Sequence, residues 1–319
     1  MSSFAERQVL FSELAGLREH DVMALITSTK KPEPLFAAQL AQDVLPIVYE
    51  LLKGKSGKGN VDLFIYSSGG QIDLPWPLIN LIKEYYDEVH AIVPWRAHSA
   101  ATLVTLGANS IVMGPLASLS PIDPQLQLKL TEKKEVVQAS VEDVYGYYDL
   151  VNDILKLDAP GKAEALKILA TRIYPELLGK VSRTRREIRV IATNLLRLHL
   201  TDEDRIERIV KELVETLPSH QYMINRNEAT KIGLPVKYLD GRAEEISSKL
   251  LNSYINEAKM DEPGMSIHFA AGKTTEVMEM SRAFVETKDR SFAFRTKYTF
   301  HQDGKVEQAI NQWMEVTPQ

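Results

Sequence analysis

A serine between an apolar run and a small-residue segment is the side chain of this sequence best suited to chemistry. Ser99 comes shortly after the apolar run at residues 89–94 and directly before Ala100-Ala-Thr102. The pattern predicts a strand, a turn and a helix that starts at the serine. The first turn of a helix has backbone N–H groups without intrahelical acceptors and the positive end of the helix dipole. A serine there can act as a nucleophile, because those N–H groups stabilise the anion formed during its attack.

Two glycines upstream can supply further N–H groups to the same site. They end the segment Ser67-Ser-Gly-Gly70, which follows the apolar run at residues 61–66. Glycine at a strand end lets the backbone approach a bound group closely. The predicted oxyanion-hole donors are the backbone N–H groups of Gly69, Gly70 and Ala100. Each segment also has an ordinary explanation, an N-cap serine and a tight turn, but their combination favours the nucleophile.

The composition restricts the classes to which the chain can belong. Of its 319 residues, 44% are hydrophobic and 25% are charged, as is usual for a globular protein. The formal net charge of -5 gives no reason to expect nucleic acid or an anionic membrane as a partner. The absence of cysteine excludes disulfides, thiolate metal sites and a cysteine nucleophile. With no secretory signal pattern and no apolar run of membrane-spanning length, we expect a cytoplasmic protein.

Short apolar runs alternate with helical patterns along the first part of the chain. Such alternation predicts βαβ units and a mainly parallel sheet, hence an α/β fold. The predicted strands are residues 21–27, 61–66, 89–94 and 110–113, and the predicted helices are 35–53, 74–86 and 99–107. A long helical segment follows at 141–215, with breaks expected near Pro160-Gly161 and Gly179.

The rest of the chain predicts the end of this domain and a small second one. A helix containing Glu228 is expected to end at Gly233. Around it we predict an extended segment at 221–224, a strand at 234–239 and a helix at 242–259. Residues 291–300 alternate with period two and 301–305 suit a hairpin turn. The predicted domains are residues 1–260, with a helical insertion at about 141–215, and residues 265–319, a small C-terminal α+β appendage.

Three segments resemble the clan of Clp-type and signal-peptide-peptidase-A-type serine proteases, which share a crotonase-like fold. Residues 67–72 are similar to the clan's Ser-Pro-Gly-Gly strand end, 97–102 to its nucleophile turn and 225–236 to its Glu-Ala…Gly-Leu segment. Within the clan, residues 119–125 and 220–224 resemble most the serine dehydrogenase proteinase family. The resemblance covers roughly residues 15–255. It implies a serine endopeptidase that acts on proteins or peptides, forms homo-oligomers and needs no cofactor.

The resemblance leaves two candidates for the general base. Clp-type members place a histidine after the nucleophile helix, where this chain has Asp123, and an acid before the Glu-Ala segment, where it has His220. The implied triad is therefore Ser99, His220 as base and Asp123 as orienting acid, since a triad is defined by roles and not by chain order. The signal-peptide-peptidase-A relatives use a lysine base instead. Lys180 is the alternative here, because its sequence neighbours are partly apolar.

Two other functions are compatible with the same sequence. A crotonase-type enzyme would use the oxyanion hole on acyl-coenzyme A thioesters, but it would leave Ser99 without a role. A catalytically inactive oligomeric scaffold would bind partners through residues 263–319. The histidines show no metal-ligand spacing, so no metal site is predicted.

Overall fold

An eight-stranded sheet forms the centre of the molecule. The computed structural model describes residues 4–55, 57–123, 125–129, 136–217, 219, 221–262, 269 and 273–317. The strands are β1 (Asp21–Thr27), β2 (Asn60–Tyr66), β3 (Glu88–Val93), β4 (Arg96–Ala97), β5 (Ser110–Met113), β6 (Ser118–Leu119), β7 (Gln125–Lys129), β8 (Val136–Ser140), β9 (Ile224–Asn225), β10 (Val236–Tyr238), β11 (Thr275–Thr287), β12 (Ser291–His301) and β13 (Val306–Val316). The order across the large sheet is β10-β5-β3-β2-β1-β11-β12-β13.

The first five strands in that order run parallel, and the last three are antiparallel. The strands β1, β2 and β3 are buried along nearly their whole length. Continuous apolar runs of this kind are typical of parallel strands covered on both faces. The predicted α/β fold with a mainly parallel sheet is confirmed.

Helices cover both faces of the parallel part. They are α1 (Phe4–Arg18), α2 (Glu33–Phe36), α3 (Val44–Leu52), α4 (Pro75–Tyr85), α5 (Ala100–Leu106), α6 (Val141–Asp149), α7 (Ala159–Arg172), α8 (Pro175–Arg197), α9 (Glu203–Lys211), α10 (Arg226–Ile232) and α11 (Gly241–Glu257). Side chains of α3, α4, α5, α8 and α9 form the core on one face, and those of α1 and α11 form the core on the other. Among the described residues, no helix has the length and apolar character needed to cross a membrane.

The single helix predicted for residues 35–53 is wrong. The chain forms two helices, α2 and α3, separated by residues 37–43. Between them, the N–H of Leu40 donates to the carbonyl of Gly69 at 2.8 Å, and the N–H of Gln71 donates to the carbonyl of Leu40 at 2.8 Å. This long-range pairing to the glycine segment replaces the local hydrogen bonds that a continuous helix would make.

The helical segment predicted for 141–215 is present. The break expected near Pro160-Gly161 is found at residues 155–158, directly before α7, whereas the next break lies at residues 173–174 and not at Gly179. Pro160 and Gly161 lie in the first turn of α7, where proline lacks only an N–H that has no helical acceptor. The side chain of Asp158 caps that turn by accepting from the N–H of Gly161 at 2.9 Å. Gly179 lies inside the uninterrupted helix α8. Two π-helical turns, Leu150–Ile154 and Glu212–Thr216, complete the segment.

The C-terminal strands extend the main sheet. The strand β11 pairs antiparallel with β1, from Met23 opposite Thr287 to Thr27 opposite Ala283. The strands β12 and β13 form a hairpin across residues 302–305. In the described part of residues 265–319 all regular structure is β, so this segment contributes strands to the sheet of residues 1–260. The position of a boundary between the two predicted domains stays a prediction.

Candidate active site

Ser99 lies in a strained turn between β4 and α5. Its φ of 52° and ψ of -118° fall in a region that L-residues rarely adopt. Although it occupies the N-cap position of α5, its side chain accepts no capping hydrogen bond. Its backbone N–H donates to Oγ of Ser120 at 2.8 Å, and the residue is buried with 6% of its surface exposed. The ordinary explanation, a capping serine, therefore does not account for this residue.

Gly69 packs directly against this turn. A Cβ atom at Gly69 would lie 2.7 Å from Cβ of Ser99, 2.8 Å from the carbonyl oxygen of His98 and 3.2 Å from the backbone nitrogen of Ala100. Its φ of +106° is also unfavourable for any other residue. Glycine is required here, because it lets the end of β2 touch the serine turn.

Backbone hydrogen bonds join the glycine segment at 67–70 to the serine turn. The N–H of Ser67 donates to the carbonyl of Arg96 at 3.1 Å, and the N–H of His98 donates to the carbonyl of Ser67 at 3.0 Å. On the other side, a Cβ atom at Gly70 would lie only 2.0 Å from the carbonyl oxygen of Leu40. The glycine pair is thus held between Leu40 and the serine turn.

The three predicted oxyanion-hole donors differ in their hydrogen bonds. The N–H of Gly69 donates to Oγ of Ser67 at 3.0 Å. The bridge to Leu40 uses the carbonyl of Gly69 and the N–H of Gln71, which leaves the N–H of Gly70 outside it. Within the described ranges, neither the N–H of Gly70 nor that of Ala100 has an acceptor. These two donors are therefore available to a bound group beside Ser99.

The strained backbone of Ser99 leads to a prediction about the stability of the fold. Replacing Ser99 by glycine is expected to stabilise the fold by about 1 kcal/mol relative to Ser99→Ala, because glycine adopts this φ without a Cβ clash. Equilibrium urea denaturation measures the difference. The exposed Ser68 supplies the control, since Ser68→Gly should give no gain over Ser68→Ala. Equal free energies of unfolding for the two Ser99 variants would show that the turn holds no strain.

One short segment, residues 118–123, connects Asp123 to the serine turn. The strand β6 pairs parallel with β4, and Oγ1 of Thr102 donates to the carbonyl of Ser120 at 3.1 Å. Asp123 lies three residues after Ser120, is 6% exposed, and its Oδ1 accepts from the N–H of Glu142 at 3.2 Å. The N-terminal turn of α6 thus holds this carboxylate in place.

Glu142 adds a second carboxylate beside Asp123. Burial raises the pKa of Glu142 to about 7, with the negative charges of Asp123 and Glu215 acting in the same direction and Arg185 opposing them. The guanidinium of Arg185 contacts it with Nε at 2.9 Å from Oε1. Glu142 therefore titrates near neutrality next to the candidate acid. Sequence reasoning missed it, because it joins Asp123 only through the long-range packing of α6.

The structure gives different information on the two candidate bases, His220 and Lys180. His220 lies outside the described residues. The chain that follows it enters β9, which pairs antiparallel with β6 through Leu119 opposite Ile224. Lys180 is exposed on α8 and so lacks the burial that a lysine base requires.

Three polar residues of the site were not singled out by sequence reasoning. Ser67, Thr102 and Ser120 are all buried, and their hydroxyls bond to the backbone around Ser99 and Gly69. Serine and threonine at such positions carry no periodic or spacing signal that would distinguish them. In the described part of the chain, no group of three or more His, Asp or Glu side chains is arranged to hold a metal ion.

Comparison with known proteins gives distant matches. No protein-family model matches the chain. Two uncharacterised proteins of Methanocaldococcus jannaschii are similar to it, one 26% identical over 178 residues and the other 23% identical over 177 residues. Each match covers 55% of this chain, and 53% and 51% of the respective relatives. The chain therefore spans about half the length of the curated relatives it matches.

Among solved structures, similar chains include two mutants of the 1510-N membrane-bound stomatin-specific protease, one of them in complex with a substrate peptide. They show 15% and 14% identity and TM-scores of 0.35 and 0.36, and the matches cover 66% and 70% of this chain and 74% and 75% of theirs. The ClpP protease catalytic domain from Plasmodium falciparum shows 11% identity and a TM-score of 0.32 over 72% of this chain and 91% of that domain.

Proposed function

We propose that this protein is a serine peptidase of the serine dehydrogenase proteinase type, which hydrolyses proteins or peptides through an acyl-enzyme on Ser99. One observation carries the proposal. The strained turn presents a serine that caps no helix, packed on Gly69 and next to two N–H groups, of Gly70 and Ala100, that have no acceptor in the described structure. The motif order along the chain, which resembles that of the family, supports the same assignment.

The chemistry follows from this arrangement. Oγ of Ser99 attacks the carbonyl carbon of the scissile peptide bond and gives its proton to the base. The N–H groups of Gly70 and Ala100 donate to the resulting oxyanion, while Gly69 shapes the loop through its bond to Ser67. The C–N bond then breaks as the base returns the proton to the leaving amine. Water, activated by the same base, hydrolyses the ester and restores Ser99.

For the base we propose His220, oriented by Asp123. Two contacts support Asp123 in this role: its buried carboxylate is fixed by the N–H of Glu142, and its segment runs beside the serine turn. The pairing of β6 with β9 brings the chain that leaves His220 next to the chain that leads to Asp123. Lys180 is the weaker candidate because it is exposed.

Substitution of the candidate bases tests this triad. We expect His220→Gln and Asp123→Asn each to lower kcat by about a hundredfold or more on a fluorogenic peptide, because the serine loses proton transfer or its orientation. Lys180→Met is expected to leave kcat unchanged. Full activity of His220→Gln would remove His220 from the proposal, and loss of activity in Lys180→Met would transfer the role of base to Lys180.

We further propose that the protein is a homo-oligomer. The helical segment at 141–197 supports this, since several large apolar side chains in it are exposed. They are Tyr148, Ile154, Leu155, Leu166 and Ile168. Surface patches of this kind are typical of protein–protein contacts.

A further inference from the structure

A cavity lies at the carboxyl-terminal edge of the sheet, where two of its lining residues, Tyr66 and Arg96, come three residues before Gly69 and Ser99. It has a volume of about 580 Å³ and is lined by residues at the ends of β1, β2 and β3, by α11 and by the chain that follows α11. This volume is within the range of about 300–1,000 Å³ that is usual for small-molecule sites. The carboxyl edge of a parallel sheet is also where such folds bind ligands. Of the proposed catalytic residues that the structure describes, Ser99 and Asp123, neither lines it.

One wall of the cavity is aromatic and cationic. The rings of Tyr66 and Trp95 have their centroids 5.8 Å apart, and Cζ of Arg96 lies 4.5 Å from the Trp95 centroid and 5.7 Å from that of Tyr66. Nε of Arg96 is buried and has no hydrogen-bond acceptor among the described residues. Lys31 adds a second cation to this wall. Among those residues, neither Lys31 nor Arg96 has an ion-pair partner, so both are available to a carboxylate.

The helix side of the cavity carries carboxylates. Its lining residues are Asn252, Ile255, Asn256 and Met260, together with Asp261 and Glu262, which follow α11. This chain is held against the end of β1 by Lys30, whose buried ammonium donates to the carbonyl of Lys259 at 2.7 Å and to that of Glu262 at 3.4 Å. The carboxylate of Glu262 lies 3.9 Å from the ammonium groups of Lys30 and Lys259. Asp261 has no ion-pair partner in the described part of the chain, so it is the carboxylate available to a ligand. The cavity therefore presents cations on the strand side and carboxylates on the helix side.

From these contacts we infer that the cavity binds a zwitterion: a free amino acid or a short peptide with an aromatic or apolar side chain. Arg96 and Lys31 bind its carboxylate, Asp261 binds its ammonium group, and its side chain packs on the half-exposed ring of Trp95. A phosphate dianion would be repelled by Asp261. A neutral ligand would leave the unpaired charges of both walls without partners. This inference does not depend on the proposed peptidase activity.

A titration of the full chain with four probes tests the ligand class. The probes are L-phenylalanine, its N-acetyl derivative, its amide and phenylalanyl-alanine, and binding is followed by tryptophan fluorescence and calorimetry. We expect the derivatives that lack the ammonium or the carboxylate charge to bind at least about tenfold more weakly than L-phenylalanine. The dipeptide and the amino acid both keep the zwitterion, and their ranking tells which of the two the cavity prefers. Equal binding of L-phenylalanine and N-acetyl-phenylalanine, or no binding of any probe at about 10 mM, would contradict the inference.

Variants locate the binding in this cavity. Arg96→Gln is expected to weaken the binding of L-phenylalanine at least about tenfold and to leave the binding of the amide unchanged. Asp261→Asn is expected to weaken the binding of L-phenylalanine equally and to leave the binding of the N-acetyl derivative unchanged.

Trp95→Phe should remove the fluorescence response to L-phenylalanine, whereas Trp76→Phe should keep it. Arg242→Gln, an exposed arginine of α11, is the control for loss of one positive charge. Ser99→Ala should bind like the wild type, which separates this inference from the proposed function. An unchanged affinity in both Arg96→Gln and Asp261→Asn would overturn it.

Discussion

Replacing Ser99 by alanine is expected to lower kcat on a peptide or ester substrate by at least about a thousandfold, because removing a serine nucleophile leaves only binding and the oxyanion hole to act. The free energy of unfolding should change little, since the Ser99 side chain makes no capping hydrogen bond to α5. Loss of turnover without loss of stability distinguishes a nucleophile from a structural serine. Steady-state kinetics and urea denaturation of the same preparations measure both quantities.

Two other serines of the site are the controls for this prediction. Ser68 is exposed beside Gly69, and Ser68→Ala should retain activity. Ser120 accepts from the N–H of Ser99, so Ser120→Ala should lower activity less than Ser99→Ala does. If Ser99→Ala kept wild-type turnover, the protein would have to be a hydrolase with another nucleophile. If neither the wild type nor Ser99→Ala showed turnover, the scaffold function would be favoured.

Replacing Glu286 by glutamine is expected to destabilise the fold by about 3 kcal/mol, because it leaves the buried Arg7 guanidinium with only the partly exposed Glu257, at 2.6 Å, as an ion-pair partner. Glu286 and Arg7 are 0% and 1% exposed, and they form two hydrogen bonds at 2.7 and 2.8 Å. The hydroxyls of Tyr254 and Ser291 donate to the same carboxylate, each at 2.6 Å. This cluster joins α1 and α11 to the strands β11 and β12. Equilibrium urea denaturation measures this loss in the free energy of unfolding.

A surface pair gives the matched control. Arg290 contacts Glu315 at 2.7 Å, but both side chains are more than a third exposed, so Glu315→Gln should change stability by no more than about 1 kcal/mol. The double variant Arg7→Met/Glu286→Leu should recover much of the loss, because both fully buried charges are then gone and Glu257, which loses its partner Arg7, is 23% exposed. A loss below about 1 kcal/mol for Glu286→Gln would show that the C-terminal strands are not fastened to the rest of the fold through this cluster.

The parallel sheet was predictable from local sequence. The strands β1, β2 and β3 are short apolar runs that end in turn residues, and burial on both faces demands such runs. The end of α10 at Gly233 was also predictable, since this glycine has the left-handed conformation that closes a helix. These features depend on residues close to one another in the chain.

The failures depend on contacts between distant segments. Residues 37–43 leave the predicted helix because Leu40 pairs with the glycine segment, and no local pattern announces that partner. The pairing of β11 with β1 was not predicted from the sequence either, and it rests in part on the buried pair of Arg7 and Glu286, which are far apart in sequence.

The same distinction applies to the candidate site. Ser99 and the glycine pair could be found because apolar runs lead to both of them. The strained φ of Ser99, the occupied N–H of Gly69 and the placement of Glu142 beside Asp123 could not, since each results from the packing of two or more segments. Local sequence therefore indicates the nucleophile, whereas tertiary contacts determine its environment.

Covalent labelling of Ser99 is the most direct test of the proposed mechanism. A fluorophosphonate probe forms a bond from phosphorus to the oxygen of an activated serine and releases fluoride, and tryptic mass spectrometry identifies the modified residue. We predict one adduct on Ser99, equal labelling of wild type and Ser68→Ala, and no labelling of Ser99→Ala. Labelling that persists in Ser99→Ala, or a wild-type protein that takes up no probe, would contradict the assignment of Ser99 as the nucleophile.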